Sequence, residues 1–303
     1  MKPLNKLLTM TWTVSNSEEG LVLREFLRAR KQLSRKTLAD IKYGGGNIEV
    51  NDAPVTVRHL LKKGDIVKIT FPAENVSGVI QPFYLHLDIV HEDNHLLIVN
   101  KPPHLPTVPS IHNEHSLAGA VLFYYQQCGI PSTFHAINRL DKDTSGLLMI
   151  AKHRYAHDQF VRMQNKGEIK RTYRALVHGQ LTVESGTIDS PIGRKDGSII
   201  ERVVRPDGQR AVTHFQIINV YHNTSLVELT LETGRTHQIR VHMSHLGHPL
   251  IADTLYGGIR EGLSRQGLHA SRLDIYHPIV ERYFTFETNL PTDMLGYIAQ
   301  CNS

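Results

Sequence analysis

The sequence predicts an α+β protein: a large domain on a mixed, largely antiparallel sheet, preceded by a small α/β unit. Three observations carry this. Runs with strand patterning at Leu96–Val99, Lys170–Val177, Val212–Val220 and Ser225–Leu231 alternate with few helices, and hairpin-length connections join several of them. Helical periodicity is confined to short stretches with their own start and stop residues. Residues 73–85 (AENVSGVIQPFYL) hold Gly78 and Pro82, show no clean period, and read as a linker between units 13–72 and 86–303.

In the N-terminal unit, Leu21-Val22-Leu23 and Phe26-Leu27 are spaced for one helix face, with Arg24, Arg28 and Arg30 on or beside the other. Ser34 is placed to cap a second helix, Arg35–Tyr43, with Leu38 and Ile41 inward; Gly44-Gly45-Gly46 ends it. Ile48-Glu49-Val50, a turn at Asn51-Asp52, then Val55 follow, and Lys63-Gly64-Asp65 turns into a strand at Ile66–Phe71.

In the larger unit, Leu87–Val90 and Leu96–Val99 around Asp93-Asn94 read as a hairpin, stopped by Lys101-Pro102-Pro103. Ser116 caps a helix through Gln127, closed by Gly129, and another helix runs from Arg154 to Asn165, ended by Gly167. Thr236–Leu246 is a third, with Ile239, Met243 and Leu246 on its apolar face, Arg240 on the rim and Gly247 as its stop.

The chain has 303 residues, 40% hydrophobic and 21% charged, which suits a soluble globular protein and argues against wholesale disorder. Its apolar runs are too short to span a bilayer, and Met1–Met10 has no signal-peptide pattern. Two cysteines, Cys128 and Cys301, make neither a disulfide framework nor a thiolate metal site, so a cytoplasmic location is expected. The net charge of +5 is uneven: Gly20–Lys68 carries eleven Lys/Arg against five Asp/Glu. A basic block of this kind suits a phosphate backbone, since each neutralised phosphate releases a counterion.

The most informative stretch is 134–152, FHAINRLDKDTSGLLMIAK. Asp141 precedes Thr144-Ser145-Gly146 and the apolar run Leu147–Ala151. A carboxylate set before a tight turn and a buried strand is held at the strand's mouth, as nucleophiles commonly are.

Arg139-Leu140-Asp141 with Thr144-Ser145-Gly146-Leu147-Leu148 resembles the catalytic signature of the RluA-type pseudouridine synthases. Three further stretches, in order, strengthen the resemblance: Lys170–Val177; Leu231–His242 (LETGRTHQIRVH) followed by Leu246–Leu250, Asp253 and Tyr256-Gly257; and Leu268-His269-Ala270 with His277-Pro278. The one departure is Asn138, where the family usually has His. Residues 13–72, with "NIEVNDAPV" and "LKKGDIVKI", resemble an S4 RNA-binding domain.

The resemblance implies the pseudouridine synthase fold and an isomerase, an intramolecular transferase converting uridine in RNA to pseudouridine. That reaction needs no cofactor and no metal. It implies Asp141 as nucleophile or base, Arg240 as its counter-ion, Tyr173 stacked on the uracil with a hydroxyl that can move the C5 proton, and Ile239 on the base's other side. Arg139 would fill the gap left by the extruded nucleotide, whose extrusion costs on the order of a few kcal/mol. Arg24, Arg28, Arg35, Lys36 and Lys42 would grip RNA backbone. Large-subunit ribosomal RNA is the expected partner and transfer RNA the alternative, with no membrane and a monomer. Two other classes compete. A glycosidase would use Asp141 with Asp143, and an RNA-binding assembly factor would carry an idle catalytic domain. The histidines His237, His242, His245 and His248 lack the companion ligands of a metal motif.

Overall fold

The computed structural model describes residues 7–74, 78–110 and 113–301. The N-terminal unit comprises β1 (Thr9–Thr13), α1 (Leu23–Glu25), α2 (Arg35–Tyr43), β2 (Asn47–Val50), β3 (Ala53–Pro54) and β4 (Ile66–Thr70). Its antiparallel sheet has the order β1-β4-β2-β3, and Thr9–Thr13 lies largely ahead of the boundary expected at residue 13.

The first helix is shorter than its apolar spacing suggested. It starts at Leu23 because Val22 bridges to Leu60, and it widens into a π turn over Phe26–Arg30, where Lys31 N–H donates to the Phe26 carbonyl. The second helix has the expected bounds: the Ser34 hydroxyl accepts from Thr37 N–H at 3.1 Å, and Leu38 and Ile41 are buried.

The larger unit contains β5 (Ile89–Glu92), β6 (Leu96–Lys101), α3 (Leu117–Cys128), β7 (His135–Ala136), β8 (Ser145–Ala151), α4 (Arg154–Asn165) and β9 (Lys170–His178). It continues through β10 (Ser185–Asp189), β11 (Ile192–Arg194), β12 (Arg202–Val204), β13 (Val212–Val220), β14 (Thr224–Leu231) and α5 (Gln238–His245). It closes with β15 (Leu268–His277), β16 (Arg282–Glu287) and α6 (Thr292–Cys301). The main sheet runs β10-β13-β14-β9-β15-β8-β6-β5; β15 and β8 are parallel, and the other pairings in it are antiparallel.

Strand β8 is buried along its whole length, which explains its unbroken apolar sequence. Leu148 and Ile150 pack with Leu117, Val121 and Tyr125 of α3 and with Ile239 and Met243 of α5. Leu147 and Met149 pack on the opposite face with Ala156, Phe160 and Met163 of α4. Caps account for helix ends here too: Gly129 follows α3 at φ +67°, Gly167 follows α4 at φ +73°, and both glycines lie where the sequence put them.

Helix α4 also carries the N-terminal unit. Tyr155 is buried in that unit's core, edge-on to Trp12 and 5.8 Å from Phe71 between ring centres. The Tyr155 hydroxyl donates to the Lys31 carbonyl at 2.8 Å, Gln159 to the same oxygen at 3.2 Å, and Arg162 to the Gln32 carbonyl at 2.7 Å. The interdomain segment is anchored rather than free: Glu74 accepts from Arg154 N–H at 2.8 Å and pairs with His135. Residues 75–77 of the expected linker lie outside the described residues. Among the described residues no helix is long and apolar enough to cross a membrane.

Candidate active site

The loop before β8 is tied down by groups from distant parts of the chain. Lys101, fully buried at the end of β6, donates to the carbonyls of Pro102, Leu105 and Lys142 at 2.8, 2.8 and 3.0 Å. Burial pulls the Lys101 ammonium down to about 7, with Asp143 and Asp141 opposing. The three carbonyls also favour the charged form, because its three N–H groups match them. The Thr107 hydroxyl donates to the Leu140 carbonyl, Arg265 to the Asp143 carbonyl, and Gln266 to the Thr144 hydroxyl. Arg265 is itself locked by a two-point pair with Asp293.

Asn138 pins the start of this loop: its Oδ1 accepts from Met149 N–H at 2.8 Å, while its Nδ2 has no partner among the described residues. An amide therefore does neutrally, by a side-chain bond to β8, part of the work of a strand pairing.

Asp141 projects from the loop with 28% of its side-chain surface exposed. Its Oδ2 lies 3.0 Å from Arg240 Nη1, a direct hydrogen-bonded ion pair. Arg240 is not on a solvated rim; it is buried, and Asp253 beneath it takes Nε at 2.7 Å and Nη2 at 2.8 Å. Burial works against the Arg240 cation, but the Asp253 and Asp141 carboxylates outweigh it and hold the guanidinium firmly protonated. The two-point grip fixes the fork geometry and leaves Nη1 aimed at Asp141. The Arg240 guanidinium also lies 5.0 Å from the ring centre of Tyr256.

Tyr173 on β9 and Ile239 on α5 are both buried in one apolar cluster beside this pair. Burial raises the Tyr173 phenol above its ordinary value, Arg171 opposes, and the charge of Asp141 adds to the rise. Arg139 is exposed and makes no hydrogen bond or ion pair with any described residue. Asp143 pairs with His104 at 2.9 Å rather than sharing the Arg240 site.

Helix α5 begins two residues later than its periodicity suggested, at Gln238, and Leu246 is 42% exposed rather than on the apolar face. The histidines around it serve separate partners. His242 binds Thr213 and the Ser190 carbonyl, His248 the His178 carbonyl, and His237 the Tyr256 hydroxyl. Among the described residues no three His, Cys, Asp or Glu side chains are grouped to hold a metal.

Arg24, Arg28, Arg35, Lys36 and Lys42 are all exposed on the N-terminal unit, and Lys42 lies over the Tyr43 ring at 4.7 Å. Sequence reasoning named Asp253 without a role and missed Lys101, Thr107, Arg265 and Gln266. A lone lysine closing the apolar run LLIVNK was the one local signal for Lys101.

A family model described as RNA pseudouridylate synthase matches residues 95–245. An uncharacterized RNA pseudouridine synthase of Bacillus subtilis, YjbO, is 48% identical over 263 residues, 86% of this chain and 93% of the relative. Ribosomal large subunit pseudouridine synthase D of Escherichia coli is 38% identical over 234 residues, 72% of this chain and 71% of the relative. Human RNA pseudouridylate synthase domain containing 1 superposes with a TM-score of 0.56 at 25% identity, over 71% of this chain and 86% of that one. Human RNA pseudouridylate synthase domain containing 4 shares the fold, with a TM-score of 0.59 at 23% identity over 71% and 92% of the two chains.

Proposed function

Because this chain belongs to the RNA pseudouridine synthase family, isomerases acting on RNA, we propose that it modifies large-subunit ribosomal RNA with Asp141 as the reacting carboxylate. The observation that carries the assignment is the Asp141–Arg240–Asp253 array, in which one buried guanidinium bridges a sealed carboxylate and an accessible one.

The reaction is an internal rearrangement. The C1′–N1 bond breaks, the uracil turns, C5 bonds to C1′, the C5 proton leaves and N1 takes up a proton, so the product is an isomer of the substrate. Asp141 opens it by attacking C1′ or by removing a ribose proton. Arg240 keeps that carboxylate aimed, through a direct charge-assisted hydrogen bond, when an entering base strips away water. Tyr173 and Ile239 receive the flipped uracil, and the Tyr173 hydroxyl serves the C5 proton. Arg139, exposed and without a partner among the described residues, enters the RNA stack in place of the extruded nucleotide. The N-terminal unit acts as an S4-like RNA grip through Arg24, Arg28, Arg35, Lys36 and Lys42. The likeness to ribosomal large subunit pseudouridine synthase D of Escherichia coli supports the ribosomal target.

Mapping pseudouridines in total RNA from cells with the wild-type gene, the Asp141→Asn gene or no gene tests the reading. One or more large-subunit sites should vanish in the latter two. Full modification with Asp141→Asn overturns the role of Asp141. Loss confined to transfer RNA moves the substrate, and an unchanged map with a ribosome assembly defect favours the assembly-factor alternative.

A further inference from the structure

We propose that His237 is a positioning residue for this reaction, held by Tyr256 as its Nε2–H tautomer and donating to Oδ2 of Asp141 when uridine enters. The inference rests on Asp141 being the reacting carboxylate.

The tautomer follows from counting protons. The Tyr256 phenol oxygen accepts from Arg202 N–H at 3.0 Å and lies 2.7 Å from His237 Nδ1. With a backbone donor already on that oxygen and no other acceptor for the phenol proton among the described residues, the hydroxyl donates to Nδ1. A neutral ring then carries its own proton on Nε2, which lies 3.7 Å from Asp141 Oδ2. That gap is longer than a hydrogen bond and short enough to close by a small ring movement. Burial lowers the imidazole below its ordinary value, Asp141 and Asp253 oppose, and Arg240 and Arg202 push the same way as burial, so the ring is neutral at neutral pH.

Backbone geometry directs the ring to this place. His237 sits at φ +56° and ψ +20°, a left-handed conformation uncommon for a side-chain-bearing residue. It occupies the cap position of α5 yet makes no side-chain cap bond. Gln238 satisfies the preceding turn instead, accepting from Arg235 N–H and the Thr233 hydroxyl. The imidazole is thus released from helix capping and turned toward the carboxylate.

The consequence is a division of labour within one carboxylate. Arg240 and His237 both address Oδ2, while Oδ1 has no protein partner among the described residues. Oδ1 is the atom free to reach the ribose.

The test measures single-turnover tritium release from an in vitro transcript of large-subunit ribosomal RNA carrying 5-tritiated uridine, with RNA affinity measured alongside. The variants are His237→Gly, His237→Gln, Tyr256→Phe and Asp141→Asn. Glycine relieves the left-handed backbone, and glutamine keeps an N–H donor near Nε2. His237→Gly should lose about 10–100-fold in rate with affinity little changed. His237→Gln should recover most of the loss, and added imidazole should partly rescue His237→Gly. Tyr256→Phe keeps the ring over Arg240 and loses only the hydroxyl, so its rate should fall by several-fold. A purely conformational role predicts the reverse order, with glycine at least as active as glutamine, and that order overturns the proposal. So does an unchanged rate in Tyr256→Phe. An active Asp141→Asn would remove the underlying assignment; an inactive Asp141→Asn beside a fully active His237→Gly would remove this inference alone.

Discussion

Gly146 passes so close to Ala270 that a Cβ built on it would stand 2.2 Å from the Ala270 carbonyl oxygen. The contact lies in the parallel pairing of β8 with β15, where Ala270 is opposite Gly146, and the glycine has φ +111°. Any side chain there meets both a clash and a forbidden backbone. Gly146→Ala should therefore destabilise the domain by about 3 kcal/mol or more and displace the Asp141 loop. Urea denaturation and tritium release should both report it; wild-type stability would contradict the close approach.

Asp253 should matter to stability as well as to rate. Asp253→Asn leaves the buried Arg240 cation with only the partly exposed Asp141, and breaking a buried pair in this way typically costs about 3–5 kcal/mol. Arg240→Lys should keep the charge but lose the two-point grip, lowering the single-turnover rate far more than RNA affinity. Equal rates for lysine and arginine would mean that fixed geometry is unimportant.

Arg139 gives the opposite separation. It contacts no described residue through a hydrogen bond or ion pair. Arg139→Ala should leave the unfolding free energy within about 0.5 kcal/mol of wild type while reducing activity. A large stability loss would show that its side chain serves the fold.

Two buried histidines set an acid limit on stability. Burial lowers His269 and His277 to about 4, helped by Arg265 in the first case and by His95 in the second. Their unfolded values lie near about 6.5. Between these values the unfolded chain binds more protons, so stability is full above pH ~6.5 and declines as pH falls toward ~4. Each contributes at most about 3 kcal/mol over that window. Denaturant midpoints at pH 7, 6 and 5 should fall in step, and a flat series would contradict the neutral buried rings.

How much of this was legible in the sequence depended on distance along the chain. Helices α2 and α4 have the bounds the sequence predicts, and α3 ends one residue beyond the expected Gln127, because Ser34, Ser116, Gly129 and Gly167 are local signals. Strand β8 was legible because burial on both faces leaves a continuous apolar run. The ties on the Asp141 loop were not, since Lys101 lies 41 residues from the Lys142 carbonyl it holds and Arg265 lies 122 residues from that of Asp143. The short start of α1 depended on a bridge to Leu60, and the turned ring of His237 on a backbone conformation that no periodicity records. Strands β15 and β16 and helix α6 also went unread, because their apolar residues pack against strands far away in the chain.

The seam between the two units has an evolutionary corollary. Tyr155, Gln159 and Arg162 dock the N-terminal unit largely by reading the main-chain oxygens of Lys31 and Gln32. A carbonyl is the same whatever side chain follows it. Substitutions at Lys31 can thus alter the surface near the basic helices while leaving the carbonyl contacts in place, whereas Gln32, at φ +57° and with its amide oxygen also taken by Arg162, has less freedom. The seam behaves like a standard socket, and the larger unit can keep its grip while the exposed basic surface of the smaller one drifts.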